Sequence, residues 1–575
     1  MEYIIHIIIL ILIYAILVES LNLIMGYAGV LSMCHAIFSG IGAYTAALIS
    51  IHLGYNFIVG MAAGFVLAAF IGALLAVPSL KVRDEYLIVF TLGFQVVMFQ
   101  LMLTARNITQ GHGGITNIPS PELLGITFQT PMRFLPLVLI IALVCFAFAW
   151  RIIHSPFGRV LKSIREDEFA ARALGKNTLS FKVIGFAVGG GLAAIAGSTL
   201  AYYVTFINPS SFTIEVSVLI IVMVVLGGTA NFWGPLVGAL ILIGMPEVLR
   251  FVPGTAGIID AVREVIYGGA LVLLMLFRPQ GILPEYWGKV GRTRMSSESS
   301  VERCDSRPNG QNQGKCFGRE SSTSNILEIK ELSKSFGGLQ AVADVSMTLP
   351  AGKITGLIGP NGCGKTTLFN LITGFLSPEK GAIYIEGEEV TRWPPHKLVK
   401  RGIARSWQDV RIFKGMTVLD NVMVASPRQS GENLALLILS PWKVAHEEKE
   451  NFRRAMSYLH FVGLSDKVLQ LSGNLSPAEQ KLVAIARLLA TECPLLLFDE
   501  PTSALDIESI EGIIKLIRRI ASQGEKTILL IEHNLDVVRG LVDNAYFMSE
   551  GKILDFGPPA ELMSNPKLTE VYFGD

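Results

Sequence analysis

The feature that most constrains this chain of 575 residues is a succession of apolar runs confined to its first half. They lie near 3–24, 27–50, 57–78, 86–104, 134–152, 183–204, 214–230, 235–250 and 262–277. A helix crossing a bilayer needs about 20 mostly apolar residues, so these runs read as membrane spans. They carry the apolar content of 51% and the mean hydropathy of +0.50, because the second half has ordinary soluble composition. The opening run lacks a basic flank and a small-residue cleavage site, and reads as a retained span rather than a signal peptide. Basic residues gather in "KVRDE" at 81–85 and between Arg151 and Lys182. The positive-inside rule puts both loops in the cytoplasm. Two runs between the loops, and four between Lys182 and the soluble half, keep those points on one side. If the first three runs all cross, the amino terminus lies outside.

From 291 to 324 the chain reads "GRTRMSSESSVERCDSRPNGQNQGK" and onward, with almost no apolar content. Such a stretch cannot bury a core and is expected to be a flexible linker reaching roughly 30 Å. The expected division is a membrane domain at 1–290, a linker at 291–324 and a soluble domain at 325–575. In the last, "ILEIKELSKSF", "KITGLIG", "GAIYIEGEEV", "LLLFDE" and "TILLIEH" read as strands among helical stretches. That alternation predicts an α/β domain. A net charge of +1 gives no basic field for nucleic acid. The 6 cysteines are scattered without a CxxC pair, and neither a disulfide framework nor a metal site follows from them.

Residues Gly359–Thr366 match G-x-x-x-x-G-K-T after an apolar strand and before a helix. Backbone amides of such a loop curl around phosphate oxygens, and the helix start adds positive potential. Gly359, Asn361, Gly362, Gly364, Lys365, Thr366 and Thr367 are the expected nucleotide-binding residues. Lys365 would reach the β- and γ-phosphates of ATP, and Thr366 would ligate Mg2+. In "PLLLFDEP", Asp499 would serve the same metal and Glu500 would polarise the attacking water. A chance glycine loop and two helix-capping acids are the alternatives, and the strand–loop–helix context disfavours them.

These motifs in this order resemble the ABC transporter ATPases, and the resemblance covers the soluble half. It implies that Phe336 stacks on adenine and that Gln408 reaches the metal and senses the membrane domain. It also implies that "SALD" at 503–506 contacts an opposite subunit and that His533 is the switch histidine. A core aromatic, a polar turn residue and a satisfied buried histidine are the alternatives for Phe336, Gln408 and His533. In the family, a Leu-Ser-Gly-Gly-Gln loop closes over nucleotide held by the partner subunit. Here Leu475 and Ser476 are followed by Pro477, Ala478 and Glu479. Ser476 can still meet a γ-phosphate. Pro477 removes an N–H donor, Ala478 adds a Cβ, and Glu479 adds negative charge. The loop is expected to be weakened rather than abolished, which favours a heteromer over a homodimer.

The first half resembles the second permease type (LivM-like) of bacterial branched-chain amino acid uptake systems. The segments "LNLIMGYAGVLSMCHAIFSGIGAYTAAL", "SPFGRVLKSIREDEFAARALGKN", "VVLGGTANFWGPLVGA" and "LFRPQGIL" carry it. The soluble half is similar to the LivG-like ATPase of the same systems. The fold class is then an α-helical polytopic membrane domain followed by an α/β P-loop ABC ATPase domain. "GRVLKSIREDEFAARALGKN" is implied to be the coupling helix docking near Gln408, with a solvated loop helix as the alternative. The resemblance implies a second permease, a second ATPase and an external substrate-binding protein. It places the chain in the bacterial cytoplasmic (inner) membrane, in contact with lipid, with its ATPase in the cytoplasm. Import of urea, short amides or other amino acids, an exporter or floppase, and a non-transporting membrane ATPase are the rival readings. Among the polar residues of the first half, His35, Glu19, Glu215 and Glu247 lie in or beside apolar runs, and none is assigned as a ligand.

Overall fold

The computed structural model describes residues 2–79, 84–123, 125–249, 265, 268–269, 272, 276–277, 280–285, 325–524 and 526–573. The expected linker at 291–324, the basic residues of 81–83 and most of the 262–277 run lie outside them, as does the side chain of Glu247. The chain forms two compact units. One comprises Met1–Arg165 and Thr178–Val301, and the other Glu166–Asn177 and Glu302–Asp575.

The first unit is helical. Helix α1 (Glu2–Asn22) continues as one π-helical turn, Leu23–Tyr27, before an irregular stretch and α2 (His35–His52). Then come α3 (Phe57–Ser79), α4 (Asp84–Thr104) and the short α5 (Arg106–Thr109). A two-stranded hairpin, β1 (Glu122–Leu123) and β2 (Ile126–Thr127), leads to α6 (Pro131–Ile153) and α7 (Pro156–Glu166). Helix α8 (Glu168–Ala173) belongs to the second unit, and α9 (Thr178–Val204), α10 (Ile214–Gly227) and α11 (Gly234–Leu249) return to the first. Among the described residues, 6 helical segments are long and apolar enough to cross a membrane. The run expected at 27–50 is not one of them. Its helix starts only at His35, and Ser39, Ser50 and two histidines dilute its apolar character. Helix α11 is described over 16 residues, up to Leu249.

Small residues let these helices approach closely. A Cβ at Gly42 would strike the backbone of Ala194, and one at Gly197 would strike Ser39, so α2 and α9 touch backbone to backbone. Buried polar groups pair across helices. His35 Nε2 lies 2.7 Å from Ser20 Oγ, which makes it an interhelical hydrogen-bonding group. Glu19 accepts from Asn22 at 3.3 Å, and Asn22 also bonds the backbone of Asn231 and Ala230. Glu215 sits exposed in the first turn of α10. At the end of α7, Arg165 donates to Gly26 O and to Glu285, each at 2.7 Å, tying the broken end of α1 to the "LPE" segment.

The second unit is built on two sheets. Its strands are β3 (Asn325–Phe336), β4 (Leu339–Pro350), β5 (Ile354–Ile358), β6 (Lys380–Ile385), β7 (Glu388–Glu389), β8 (Ile403–Arg405), β9 (Leu495–Asp499), β10 (Thr527–Ile531), β11 (Asn544–Ser549) and β12 (Lys552–Gly557). The six-stranded sheet runs β12-β11-β5-β10-β9-β8, all parallel except β12. The second sheet, β4-β3-β6-β7, is antiparallel. Every residue of β5, β9 and β10 is buried, as expected of central parallel strands covered on both faces. The loops leaving their carboxyl ends therefore share one edge, where open α/β sheets bind ligands.

Candidate functional site

The loop after β5 turns directly into the helix Lys365–Ile372. Gly359 and Gly364 have φ of +152° and +107°, and a Cβ at either would run into the backbone of Met548 or Ala341. Only glycine closes the loop this tightly. The Lys365 ammonium is buried and donates to the carbonyls of Gly359 and Pro360, both at 2.8 Å. Burial pulls its pKa below the ordinary lysine value, while Cys363, Glu500 and Asp499 push it back up. Asn361 and Thr366 are exposed, and Thr367 is half-buried.

Register brings the next residues to the same edge: Ile531 pairs with Asp499 across β10 and β9, and with Leu357 across β10 and β5. Glu500 follows with φ of +48°, a conformation a non-glycine residue adopts only when its surroundings impose it. Its amide donates to Ile531 O at 3.0 Å. Its carboxylate is held at both oxygens. His533 Nε2 lies 2.9 Å from Oε1, and Gln408 Nε2 donates to Oε2 at 2.8 Å. Gln408, Glu500 and His533, far apart in sequence, thus meet in one cluster. His533 is partnered by a carboxylate at the sheet edge rather than by the core.

Asp499 is 1% exposed, and its Oδ1 has no partner among the described residues. Its Oδ2 accepts from Arg405 Nη2 at 2.6 Å. Burial raises the Asp499 carboxyl, and the Arg405 guanidinium pulls it back down. The Arg405 partner is absent from the sequence reading. An arginine directly after the small and apolar run "GIA" was the available signal. Phe336 ends β3 half exposed, with Lys334 Nζ 5.7 Å from its ring centre, so it is not a core aromatic.

Ser476 caps the helix Pro477–Ala490. Its hydroxyl accepts from Glu479 N at 3.4 Å, and its own N–H donates to Glu479 Oε2 at 3.0 Å, a complete capping box. Proline at the first helical position costs no hydrogen bond. Lys467 forms an ion pair with Glu479 and holds its carboxyl below the usual range, with the Ser476 amide contributing. The charge expected to oppose phosphate is therefore neutralised locally. Among the described residues, none of the Ser476 hydrogen bonds reaches Lys365, Asp499 or Glu500. On the same helix, Lys481 donates to Ser503, the first residue of "SALD", and Ser503 Oγ donates to Glu500 O at 3.0 Å.

The segment Glu166–Asn177 is held on this unit by paired charges. Gly415 N donates to Glu166 at 3.0 Å, Arg411 donates to Asp167 at 2.9 Å, and Lys176 pairs with Glu432. Asp167 also caps α8 by accepting from Ala170 N at 2.9 Å. Arg411 lies three residues beyond Gln408, so the segment seats against the same loop.

Residues 3–277 match the family described as the branched-chain amino acid transport system, permease component, and residues 342–503 match the ABC transporter family. The high-affinity branched-chain amino acid transport ATP-binding protein BraF of Pseudomonas aeruginosa is 34% identical over 250 residues, 44% of this chain and 98% of its own length. LivG of Escherichia coli K12 gives the same figures. The probable LivG of Methanocaldococcus jannaschii is 34% identical over 257 residues, 44% of this chain and 99% of its length. A solved ATP-binding cassette of an ABC transporter in its ADP conformation is 33% identical, covers 44% of this chain and 100% of that chain, and has a TM-score of 0.37. This chain belongs to the ABC transporters, as a permease component continued in the same polypeptide by an ATP-binding cassette.

Proposed function

We propose that the chain is an ATP-driven importer subunit for branched-chain amino acids, handed over by an external binding protein at the bacterial inner membrane. One observation carries the reading: Glu166–Asn177 sits on the cassette beside the loop of Gln408, whose amide holds Glu500. The residues fit a magnesium nucleotide. Asp499 presents a buried oxygen without a partner among the described residues, and Lys365 is parked on loop carbonyls that a phosphate can replace. Magnesium, when bound, neutralises charge on the β- and γ-phosphates. Lys365 and the backbone amides of 361–367 hold the phosphates, with Thr366 and Asp499 as metal ligands and Gln408 beside them. Phe336 supplies the stacking face for adenine. Glu500 orients the attacking water, and His533 fixes the Glu500 carboxylate. Closure of two cassettes, each sealing the other's nucleotide with the Ser476 loop, drives the coupling segments and alternating access.

A second permease and a second ATPase complete the machine. Pro477 and Ala478 still remove a donor and add a Cβ where backbone must approach phosphate, so the partner ATPase is a different chain. Glu500→Gln in this chain, and the matching change in the partner, should be assayed separately in the purified assembly. The change in this chain is expected to be the more damaging, and equal losses would contradict the heteromer. Uptake of labelled leucine into proteoliposomes with the co-encoded binding protein tests the substrate. Competition by isoleucine and valine is expected, and competition by urea or acetamide instead would replace the substrate assigned.

A further inference from the structure

The geometry points to Arg405 as a positioning residue that clamps the Asp499 carboxylate to the P-loop helix and leaves Oδ1 as the free oxygen for the metal. This rests on the reading of Asp499 as the metal carboxylate. Arg405 ends β8, and its side chain is 1% exposed. One arm, Nη2, donates to Asp499 Oδ2 at 2.6 Å. The other, Nη1, donates to Asn370 Oδ1 at 2.6 Å and to Thr373 Oγ1 at 3.4 Å, both at the far end of the helix that begins with Lys365. The guanidinium is further confined by two rings, with its carbon 4.3 Å from the Trp407 centroid and 5.4 Å from that of Phe369. A planar fork fixed at both arms and stacked on an indole cannot swing. It therefore fixes which Asp499 oxygen is engaged and where the other lies relative to the phosphate loop. Lysine would keep the charge and lose both the second arm and the stack.

The test reads nucleotide binding rather than turnover. Binding of a fluorescent N-methylanthraniloyl ATP to the purified full chain is measured with Mg2+ and with EDTA. Asp499→Asn sets the reference and is expected to abolish the strengthening by Mg2+. Arg405→Lys is expected to leave EDTA binding within twofold of wild type and to reduce the Mg2+ strengthening about tenfold. Asn370→Ala removes the shorter of the two bonds made by the second arm and keeps the Thr373 contact and the buried ion pair, so it guards against misfolding. It should shift the same quantity about threefold in the same direction. If both variants keep the full Mg2+ strengthening while Asp499→Asn loses it, the clamp is refuted and the metal carboxylate stands. If EDTA binding falls as much as Mg2+ binding, Arg405 serves only the fold. If Asp499→Asn keeps the strengthening, the premise fails and the inference falls with it.

Discussion

At the scale of single residues, the carboxylates of the sheet edge divide their work by environment. Glu500 is reached by two polar side chains and strained into positive φ, whereas Asp499 is buried against one guanidinium. His533→Ala removes the partner of Glu500 Oε1. It should lower kcat about 100-fold with little change in the KM for ATP. A matching rise in KM would show that His533 binds nucleotide instead. Arg405→Ala would leave a buried carboxylate unpaired at a cost of about 3–5 kcal/mol. The full chain should lose thermal stability accordingly, and Arg405→Ala with Asp499→Asn should recover most of it. No recovery would mean that the pair is not the source. The P-loop glycines, Lys365, Asp499 and Glu500 were legible because phosphate chemistry fixes their spacing and their place after strands. Arg405, Lys467 and Lys481 were not, because their partners come from β9, the Ser476 capping box and the "SALD" loop, which only the fold brings together.

At the scale of elements, the helix that starts at Pro477 shows how a divergent sequence can keep its local geometry. Ser476 and Glu479 satisfy each other's amides, and Lys467 adds charge from outside the helix. Because Glu479 titrates below its ordinary value of 4.5, its contribution is present above that pH and lost as pH falls through the depressed folded value. Glu479→Gln should therefore lower the melting temperature of the full chain at pH 7, and the difference should shrink as the pH drops below 4.5. A difference independent of pH would assign the effect to shape rather than charge. The strands of the cassette were readable because β5, β9 and β10 are short continuous apolar runs. The break after α1 falls in a stretch that holds Gly26 and Gly29. Its form, a π-helical turn with Gly26 O bound by Arg165, was not legible, since Arg165 lies on a distant helix.

At the scale of the whole molecule, a permease and an ATPase in one polypeptide fix their ratio at one to one, and the segment Glu166–Asn177 is the part of the permease sequence that joins the cassette's own compact unit. Asp167→Ala removes both the α8 cap and the partner of Arg411. It should reduce uptake more than ATP hydrolysis in the assembled transporter, and equal reduction would contradict a coupling role. The most direct measurement of the central claim is ATP-dependent leucine uptake by proteoliposomes holding the full assembly, with wild-type chain or Lys365→Ala. The wild-type assembly should accumulate leucine only when ATP is supplied on the cassette side, and Lys365→Ala should lower that rate at least tenfold. Uptake that persists at the wild-type rate in Lys365→Ala would contradict it.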